Sequence, residues 1–488
     1  MISLMPPRRF CSLIGLAAFT LLLGILFLRN PHGIDPSSPV RAQPPLAARP
    51  QTTNPSKNPI DIEPDSQVEE NIPSLPTFLH GSLVGTGIPR LKPTITSKKR
   101  PPAAQATGAV NGSETVRVTI VESSGSREEV VAALAYAFGS QPNVELSLYL
   151  LRNRFGLPEL IESFTLSSKQ KPKIKSSFEF PKLYDDSSIP HILVSTTCEA
   201  DLLGLEQSID AILGHNGTHL FCVVHNGDIW VKDQKLQLQT REWIEQERIT
   251  FVTLSPHTGK YFVSEAVENW PLRDKVVVRH LVPVYPVPRE GTLDDLVENG
   301  ELAFAIQGDY DAKRRDYASV FSQLAEFLSS PDLDQPKASK ISLHVLGHGS
   351  APLVPETIRD HVFFDSDLEY LDYYALLSRT VALLPAFATD DYLYRKASSS
   401  IPASLMGGTP LVANQYILDA YTYLPKEVVW FRAENQTDME VVRSVIQMPA
   451  ERREKKMEQV RRRCAAIIEE NIVAIGQWMD SALHRTGS

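Results

Sequence analysis

The feature that most constrains the fold of this chain is an alternation of β-branched apolar runs with helical segments. The run TVRVTIV (115–121) is typical of a strand buried on both faces of a parallel sheet. A helical segment, SREEVVAALAYAFG (126–139), follows it, and the run VELSLYLL (144–151) comes next. Further strand-like runs are HILVSTT, HLFCVVHN, ITFVTLS and KVVVRHLV, and several of the segments between them are long enough for helices. Strands and helices that alternate over about 170 residues predict a Rossmann-like parallel sheet.

The first strand-to-helix junction carries two local signals. Ser126 and Glu129 have the spacing of a capping box, and Gly139 suits the end of the helix. Gly125, in ESSGS, would allow a close approach to an acceptor or a phosphate, although a simple turn explains it too.

A second α/β series begins after the prolines at 283, 286 and 288 and the segment REGTLDD. It contains ELAFAIQG, a helix from Arg314 to Leu328, ISLHVLGHG, VALLPAF, a loop, a helix that starts at the serine run 398–400, and a strand after Gly408. We therefore predict two tandem Rossmann-like α/β domains, with an N-terminal domain at 114–290 and a C-terminal domain at 291–449. A helix at 450–488, apolar at three- and four-residue spacing, is expected to close the head.

The N-terminus predicts a membrane anchor. Residues 10–28 carry no charged side chain and follow Arg8 and Arg9, so we expect a cytoplasmic tail at 1–9 and a transmembrane signal-anchor at 10–28. A cleaved signal peptide is the alternative, but FLRNPHG offers no small-x-small cleavage site. Between residues 31 and 110 there are 15 prolines, which indicates an extended stem at 29–113.

Two features agree with a head in the lumen of the secretory pathway. The sequence has N-glycosylation sequons at Asn111, Asn216 and Asn435. It has four cysteines, too few for a disulfide scaffold. Cys198 and Cys222 lie near neighbouring predicted strands and could pair, but we expect buried free thiols.

Composition and motifs exclude two classes of function. A net charge of −9 argues against nucleic acid as the main partner. A dinucleotide oxidoreductase needs G-x-G-x-x-G at the start of a helix, but after Gly347 and Gly349 the third glycine is replaced by Pro352. Two Rossmann-like domains instead leave a cleft lined by strand carboxyl ends and helix N-termini, which is where phosphate-bearing ligands bind.

The segment SSSIPASLMGGTPLVA (398–413) resembles the signature of GT-B glycosyltransferases, specifically the glycosyltransferase group 1 (family 4-like) domain. FAIQGDYDAKRRDY (304–317) is similar to that family's first strand and basic loop in the C-terminal domain, and LHVLGHG (343–349) to its second strand. DLEYLDYYALLSRTVALLPAF (367–387) resembles the helix and strand before its donor loop. The resemblance covers most of 300–425 and only loosely 115–290. It implies a GT-B fold and transfer of a sugar from a nucleotide-sugar donor to a glycan, protein or lipid acceptor.

The resemblance also implies roles for individual residues. His225 ends a strand where the family carries a histidine near the transferred sugar, and His257 is the second choice; a structural role is the alternative for both. Gly125 lies on the expected acceptor side. The donor would be held by residues of the C-terminal domain: Gly308, Arg314, Arg315, Asp390, Asp391, Ser399, Ser400, Gly408 and Thr409. The arginines would neutralise the leaving diphosphate.

The chain departs from the family at its paired glutamates, whose positions are occupied by Arg395 and Ala403. Asp390 and Asp391, a few residues earlier in the same loop, are the candidate substitutes for them. The resemblance implies a metal-independent enzyme with no cofactor beyond the nucleotide-sugar co-substrate. We therefore expect a single-pass type II glycosyltransferase of the Golgi or endoplasmic reticulum membrane. The alternative is a catalytically degenerate GT-B-like head that binds glycans or assists assembly.

Overall fold

A computed structural model gives the structure of the chain and describes residues 115–167, 171–182, 189–215, 217–288, 302–331 and 340–486. The predicted tail, anchor and stem, and the sequons Asn111 and Asn216, lie outside these ranges. Within them, no helix combines the length and the apolar character needed to span a bilayer. The third sequon residue, Asn435, is exposed in a turn.

The N-terminal domain is built on a parallel sheet of seven described strands in the order β3-β2-β1-β4-β5-β6-β7. The strands are β1 Val116–Glu122, β2 Val144–Leu150, β3 Lys173–Ser176, β4 Ile192–Ser195, β5 His219–Val224, β6 Ile249–Thr253 and β7 Val278–His280. Helices connect them: α1 Glu128–Gly139, α2 Leu157–Glu162, α3 Cys198–Gly204, α4 Glu206–Gly214, α5 Gly227–Lys232, α6 Gln234–Glu245 and α7 Pro256–Glu265.

The C-terminal domain repeats this plan with a parallel sheet of six described strands in the order β10-β9-β8-β11-β12-β13. They are β8 Leu302–Gln307, β9 Ile341–Gly347, β10 Val362–Ser366, β11 Leu383–Leu384, β12 Leu411–Ala413 and β13 Val429–Phe431. The helices are α8 Tyr317–Leu328, α9 Tyr370–Ser378, α10 Asp391–Tyr394, α11 Ser400–Gly407, α12 Gln415–Ala420 and α13 Asp438–Gln447. Two tandem parallel-sheet α/β domains confirm that part of the predicted fold class.

In both sheets the strand order reverses beside the first strand, between β1 and β4 and again between β8 and β11. The chain leaves β1 and β8 in one direction along the sheet and returns to the other side for β4 and β11. Ligands in open α/β sheets bind outside the carboxyl ends of the strands at such switch points. The topology therefore fixes the places to inspect before any side chain is considered.

The last helix, α14 (Ala450–Thr486), packs against both domains. Its Trp478 ring stacks on Phe221 of β5, and Gln141 at the end of α1 donates a hydrogen bond of 2.8 Å to Ile472 O. Nearer its start, the Arg461 side chain lies against Gly408, after α11. The apolar face of α14 belongs to a core cluster that includes buried residues of both domains. This helix therefore ties the two domains together.

The start of α1 differs from the predicted capping box. The N-cap is Arg127, its side chain makes no capping hydrogen bond, and Ser126 Oγ lies 3.0 Å from Ser124 Oγ instead. Because the helix begins one residue later than the S-x-x-E spacing implies, Glu129 does not reach back to a Ser126 cap. Its side chain instead lies beside the space between the two domains.

The expectation of free thiols at Cys198 and Cys222 is wrong. The two residues form a disulfide with a Cα–Cα distance of 5.2 Å. Cys198 opens α3 directly after β4, and Cys222 lies on the neighbouring strand β5, where Ser195 is its register partner. The parallel register brings the two sulfurs together. Cys464, on α14, is buried and forms no disulfide within the part of the chain that the structure describes.

Candidate functional site

A cleft of about 450 Å³ lies between the two domains. Its N-terminal wall is formed by the loop after β1 and by residues after β2, and its C-terminal wall by residues after β8, β9 and β10. The carboxyl ends of both sheets therefore open into one space. A smaller cavity of about 90 Å³ adjoins it, and Arg127, Glu129, Arg314 and Ser399 line both.

Gly308 gives the cleft a backbone wall at the end of β8. Its φ is +133°, and a Cβ built there would lie 2.8 Å from Nη2 of Arg315. The neighbouring strand is equally close, because a Cβ on Gly347 would meet the carbonyl oxygen of Gly308 at 2.0 Å. Only glycine fits this conformation and spacing without displacement. The sequence placed Gly308 at the donor site, and the structure places it in the cleft.

Arg314 also lines the cleft, but it is already paired. Its guanidinium forms an ion pair with Asp309, and its Nε donates to Tyr392 Oη at 3.0 Å. Burial lowers the pKa of Arg314, but Tyr392 and Asp309 outweigh that effect and leave the pKa above its ordinary value. Asp309 in turn lies 3.2 Å from Nδ1 of His348. An incoming diphosphate would compete with Asp309 for this cation.

Arg315 is not available to a ligand. Its side chain is 1% exposed, with Nε donating to Gln307 O at 2.9 Å and Nη2 donating to Ser400 Oγ at 2.8 Å. Burial is the main reason that its pKa is lowered. Adjacent residues of the turn after β8 point in different directions, so Arg314 faces the cleft while Arg315 supports the strand end. In this structure Arg315, which the sequence analysis placed at the diphosphate, does not line the cleft.

The serine run differs from expectation in the same way. Ser399 is the N-cap of α11 and lines the cleft, but its hydroxyl lies 3.3 Å from Oε1 of Gln307 and makes no capping hydrogen bond. Ser398 Oγ accepts a hydrogen bond from Ser400 N at 3.3 Å. Ser400 is fully buried and donates to Gln307 Oε1 at 3.0 Å. Ser400 therefore has a structural contact where a ligand contact was predicted.

The other predicted donor residues lie outside the cleft. Gly408 follows the C-terminus of α11 with φ +70°, and the buried Thr409 donates to Leu377 O at 2.5 Å, beyond the amino end of β12. Asp391 is paired with Arg395 and Lys396, at 2.7 and 2.8 Å. Asp390 is exposed and lines a separate surface depression.

The loop after β1 is held by two buried carboxylates. Glu122 accepts hydrogen bonds from the backbone N–H of Ser124 and Gly125, at 2.9 and 2.7 Å. Asp201 accepts from Ser123 N at 2.9 Å and from Ser195 Oγ at 2.6 Å, and burial raises its pKa to about 6 despite these bonds. Gly125 thus lines the cleft with φ +69°. The carboxylates of Glu122 and Asp201 fix the shape of its loop through these hydrogen bonds.

His225 lines only the smaller cavity. Its Nε2 lies 2.7 Å from Thr196 O, and its backbone N–H donates to Glu199 at 2.9 Å. Burial, followed by the positive charge of Arg127, lowers the pKa of His225 to about 3. The imidazole is therefore neutral at physiological pH, donates from Nε2, and keeps Nδ1 as an acceptor.

His257 joins the domains and lies outside the cleft. On α7, its Nδ1 lies 3.0 Å from Ala420 O and its Nε2 lies 3.0 Å from Lys396 O, both in the C-terminal domain. Its ring makes an edge-to-face contact with Tyr421. Both ring nitrogens of His257 thus contact backbone carbonyls of the C-terminal domain, which agrees with the structural role that was the alternative for this residue.

Three polar groups that the sequence analysis did not assign to the site face the cleft. Arg127 Nε and Tyr373 Oη are buried and have no hydrogen-bond partner among the described residues. The carboxylate of Glu129 has no hydrogen bond or ion pair to another described residue, and burial is the main reason that its pKa is raised. Buried polar groups are nearly always satisfied, so the unpartnered Arg127 Nε and Tyr373 Oη on the walls of one cleft indicate a polar ligand. In the sequence, these residues are marked only by their positions after strands. Arg127 and Glu129 follow β1, and Tyr373 follows β10.

No protein-family model and no curated protein matches the chain. Several solved structures are similar to the chain at low identity. Anabaena HepE in complex with UDP-glucose is 11% identical, with 75% of this chain and 99% of that chain covered and a TM-score of 0.49. Sucrose-phosphate synthase from Thermosynechococcus elongatus is 12% identical (75% and 98% covered, TM-score 0.47). A Polygonum tinctorium UDP-glucosyltransferase is 12% identical (77% and 99% covered, TM-score 0.43). The two parallel sheets and the cleft between them are consistent with the GT-B fold that the sequence resemblance implies.

Proposed function

We propose that the chain is a glycosyltransferase that moves a sugar from a nucleotide-sugar donor to a hydroxyl group of a glycan, protein or lipid. The observation that carries this proposal is the cleft between the carboxyl ends of two parallel sheets. Arg127, whose Nε has no partner among the described residues, lies on one wall, and Arg314 lies on the other. The donor lies against Gly308, Arg314 and Ser399 of the C-terminal domain. The acceptor enters past Gly125.

The charges of the cleft suit departure of a nucleoside diphosphate. As the bond from the anomeric carbon to the diphosphate breaks, negative charge grows on the leaving oxygen. Arg314 and Arg127 supply two guanidinium groups for that charge, and the glycine backbone at Gly308 allows the phosphates to approach closely. Side chains thus provide the counter-charge, and we propose catalysis without a metal or another cofactor.

We further propose that this head works in the lumen of the Golgi or endoplasmic reticulum, held by a single N-terminal membrane anchor. The uncharged run at 10–28 supports the anchor. The Cys198–Cys222 disulfide supports an oxidising compartment, and the exposed Asn435 supports access to glycosylation. Treatment of the membrane-derived protein with an N-glycosidase should lower its apparent mass, and no change in mass would count against this location.

The test of the activity uses the chain from residue 114 to 488 and a panel of nucleotide sugars. One nucleotide should raise the melting temperature, and its sugar conjugate should be hydrolysed slowly or transferred. The variant Arg314→Met should lose this nucleotide-dependent shift, while Arg359→Met, on an exposed segment outside the cleft, should keep it. If no nucleotide shifts the wild type and no donor is consumed, the enzymatic proposal is refuted.

A catalytically degenerate glycan-binding head is the second candidate. It is favoured by Arg395, which stands where the related family has a glutamate and is tied to Asp391 and to Asp228 of the N-terminal domain. Glycan binding without nucleotide binding in the same panel would establish this alternative.

A further inference from the structure

One carboxylate in the cleft, that of Glu129, forms no hydrogen bond or ion pair with another described residue. Most other acidic side chains on its walls form ion pairs: Glu128 with Arg154 at 2.7 Å, Asp309 with Arg314, and Asp365 with His344 at 2.8 Å. Asp367 is exposed to solvent. Among them only Glu129 is half-buried and also lacks a hydrogen bond or ion pair to another described residue.

The position of Glu129 suits contact with a substrate. It lies in the first turn of α1, beside the loop after β1 at the switch point of the first sheet, and it lines both the cleft and the smaller cavity. Tyr373 faces the same space from the C-terminal domain with a buried hydroxyl that has no hydrogen-bond partner in the described part of the chain. A substrate hydroxyl between the two could donate to the carboxylate and accept from the phenol.

We propose that Glu129 is the general base that takes the proton from the acceptor hydroxyl. This role rests on the proposed glycosyl transfer. The acceptor oxygen forms a bond to the anomeric carbon as the carbon–oxygen bond to the diphosphate breaks, and the bonding electron pair leaves with the nucleoside diphosphate. The acceptor proton passes to Glu129 and then to solvent. A displacement of this kind inverts the anomeric centre.

The surroundings of Glu129 agree with such a base. Burial is the dominant influence and raises its pKa, so the carboxylate is a stronger base than an exposed one. Glu128 and Asp309 act in the same direction, whereas a hydrogen bond from the backbone N–H of Glu129 itself and the charge of Arg127 lower the pKa. The remaining titratable groups coupled to it are the phenols of Tyr285, Tyr370, Tyr373 and Tyr374.

The decisive variant is Glu129→Gln, which keeps the shape of the side chain and removes the base. We expect transfer to fall by about 10²–10⁴-fold, while nucleotide binding and melting temperature remain those of the wild type. Glu129→Asp, which keeps a carboxylate, should recover part of the rate. The matched control is Glu206→Gln, because Glu206 also opens a helix of the N-terminal domain but is exposed and paired with Lys235; it should transfer at the wild-type rate.

Two further readouts separate a base from a structural residue. The wild-type rate should fall at acid pH as Glu129 is protonated, and Glu129→Gln should lack that acidic limb. The anomeric configuration of the product, measured by NMR, should be opposite to that of the donor. Retention of configuration, or a Glu129→Gln rate within threefold of wild type, would overturn this role and leave the proposed function standing. A wild type that binds no nucleotide and transfers no sugar would overturn both.

Discussion

Arg314 and Arg315 are adjacent and alike in sequence, yet the structure predicts opposite consequences for their loss. Arg315 is buried without an ion pair among the described residues and donates from its charged guanidinium to Gln307 O and Ser400 Oγ. Hydrogen bonds to a charged group contribute about 1.5–3 kcal/mol each, so the two bonds together amount to about 3–6 kcal/mol. Part of this is offset by the cost of burying the charge, which also lowers the pKa of Arg315. We expect Arg315→Ala to lower the free energy of unfolding by about 3 kcal/mol, near the lower bound of that range.

Arg314→Ala should behave in the opposite way. Its side chain is 38% exposed and its partner Asp309 is 41% exposed, so solvent screens the pair. Ion pairs of this kind contribute below about 1 kcal/mol. Loss of Arg314 should therefore leave stability nearly unchanged and reduce nucleotide affinity, since it removes a cation from the cleft.

The measurement is urea unfolding followed by tryptophan fluorescence, with and without the nucleotide identified by the thermal-shift panel. The quantity to compare is the urea concentration at the unfolding midpoint, provided that the slope of the free energy of unfolding against urea concentration is the same in both variants. Arg315→Ala should shift the midpoint strongly in the absence of ligand, and Arg314→Ala should shift it only in the presence of ligand. If the two variants are equally stable and equally impaired in binding, the division of roles between these arginines is refuted.

Three further predictions follow from single contacts. Replacing Cys198 and Cys222 together by alanine should lower the free energy of unfolding by about 3 kcal/mol, because the disulfide joins residues 24 positions apart. Urea unfolding under reducing and non-reducing conditions measures this difference. His225 has a pKa of about 3 in the folded chain against about 6.5 unfolded, so its contribution to stability is lost as pH falls from about 6.5 towards 3; His225→Gln should be less sensitive to acid by up to about 1.4 kcal/mol per pH unit. Gly308→Ala should cost about 1–3 kcal/mol, because its φ is +133° and its Cβ would meet Arg315, and it should weaken nucleotide binding; a variant as stable as wild type would contradict the geometry.

The fold could be predicted because its central strands are buried on both faces. β1, β5 and β8 appear in the sequence as continuous apolar runs, and parallel strands buried in this way need no alternating pattern. The edge strands β3 (KIKS) and β10 (VFFDS) were not predicted, since their side chains are mostly half-buried or exposed and their sequences carry no strong periodicity.

The site could be predicted only in outline. Gly125, Gly308, Arg314 and Ser399 follow strand ends or open a helix, and topology brings all four to the cleft. Side-chain direction was beyond the sequence, which is why Arg315 and Ser400 turned out to be buried supports. Glu129 was interpreted as a capping partner because S-x-x-E is the spacing of a capping box. A shift of one residue in the start of α1 gives it a different role.

Arg395 stands where the family that the sequence resembles has a glutamate. We expect that the single change Arg395→Glu does not restore the function of that glutamate. Arg395 Nη1 lies 3.0 Å from Asp228 and Nη2 lies 2.7 Å from Asp391, so this cation joins a carboxylate of each domain. Asp228 also accepts a hydrogen bond from the Tyr261 hydroxyl, which fixes it in place.

Arg395→Glu would set three carboxylates together across the domain boundary, and their repulsion should lower the urea midpoint, more at low salt than at 1 M NaCl. Arg359→Glu, which disrupts an exposed pair with Glu356 inside one domain, is the matched control and should show a smaller, similarly screened effect. Loss of stability in Arg395→Glu without a gain in transfer would support a role for this position in the contact between the domains. A faster Arg395→Glu enzyme would instead restore the glutamate of the related family as the catalytic group and remove the need for Glu129.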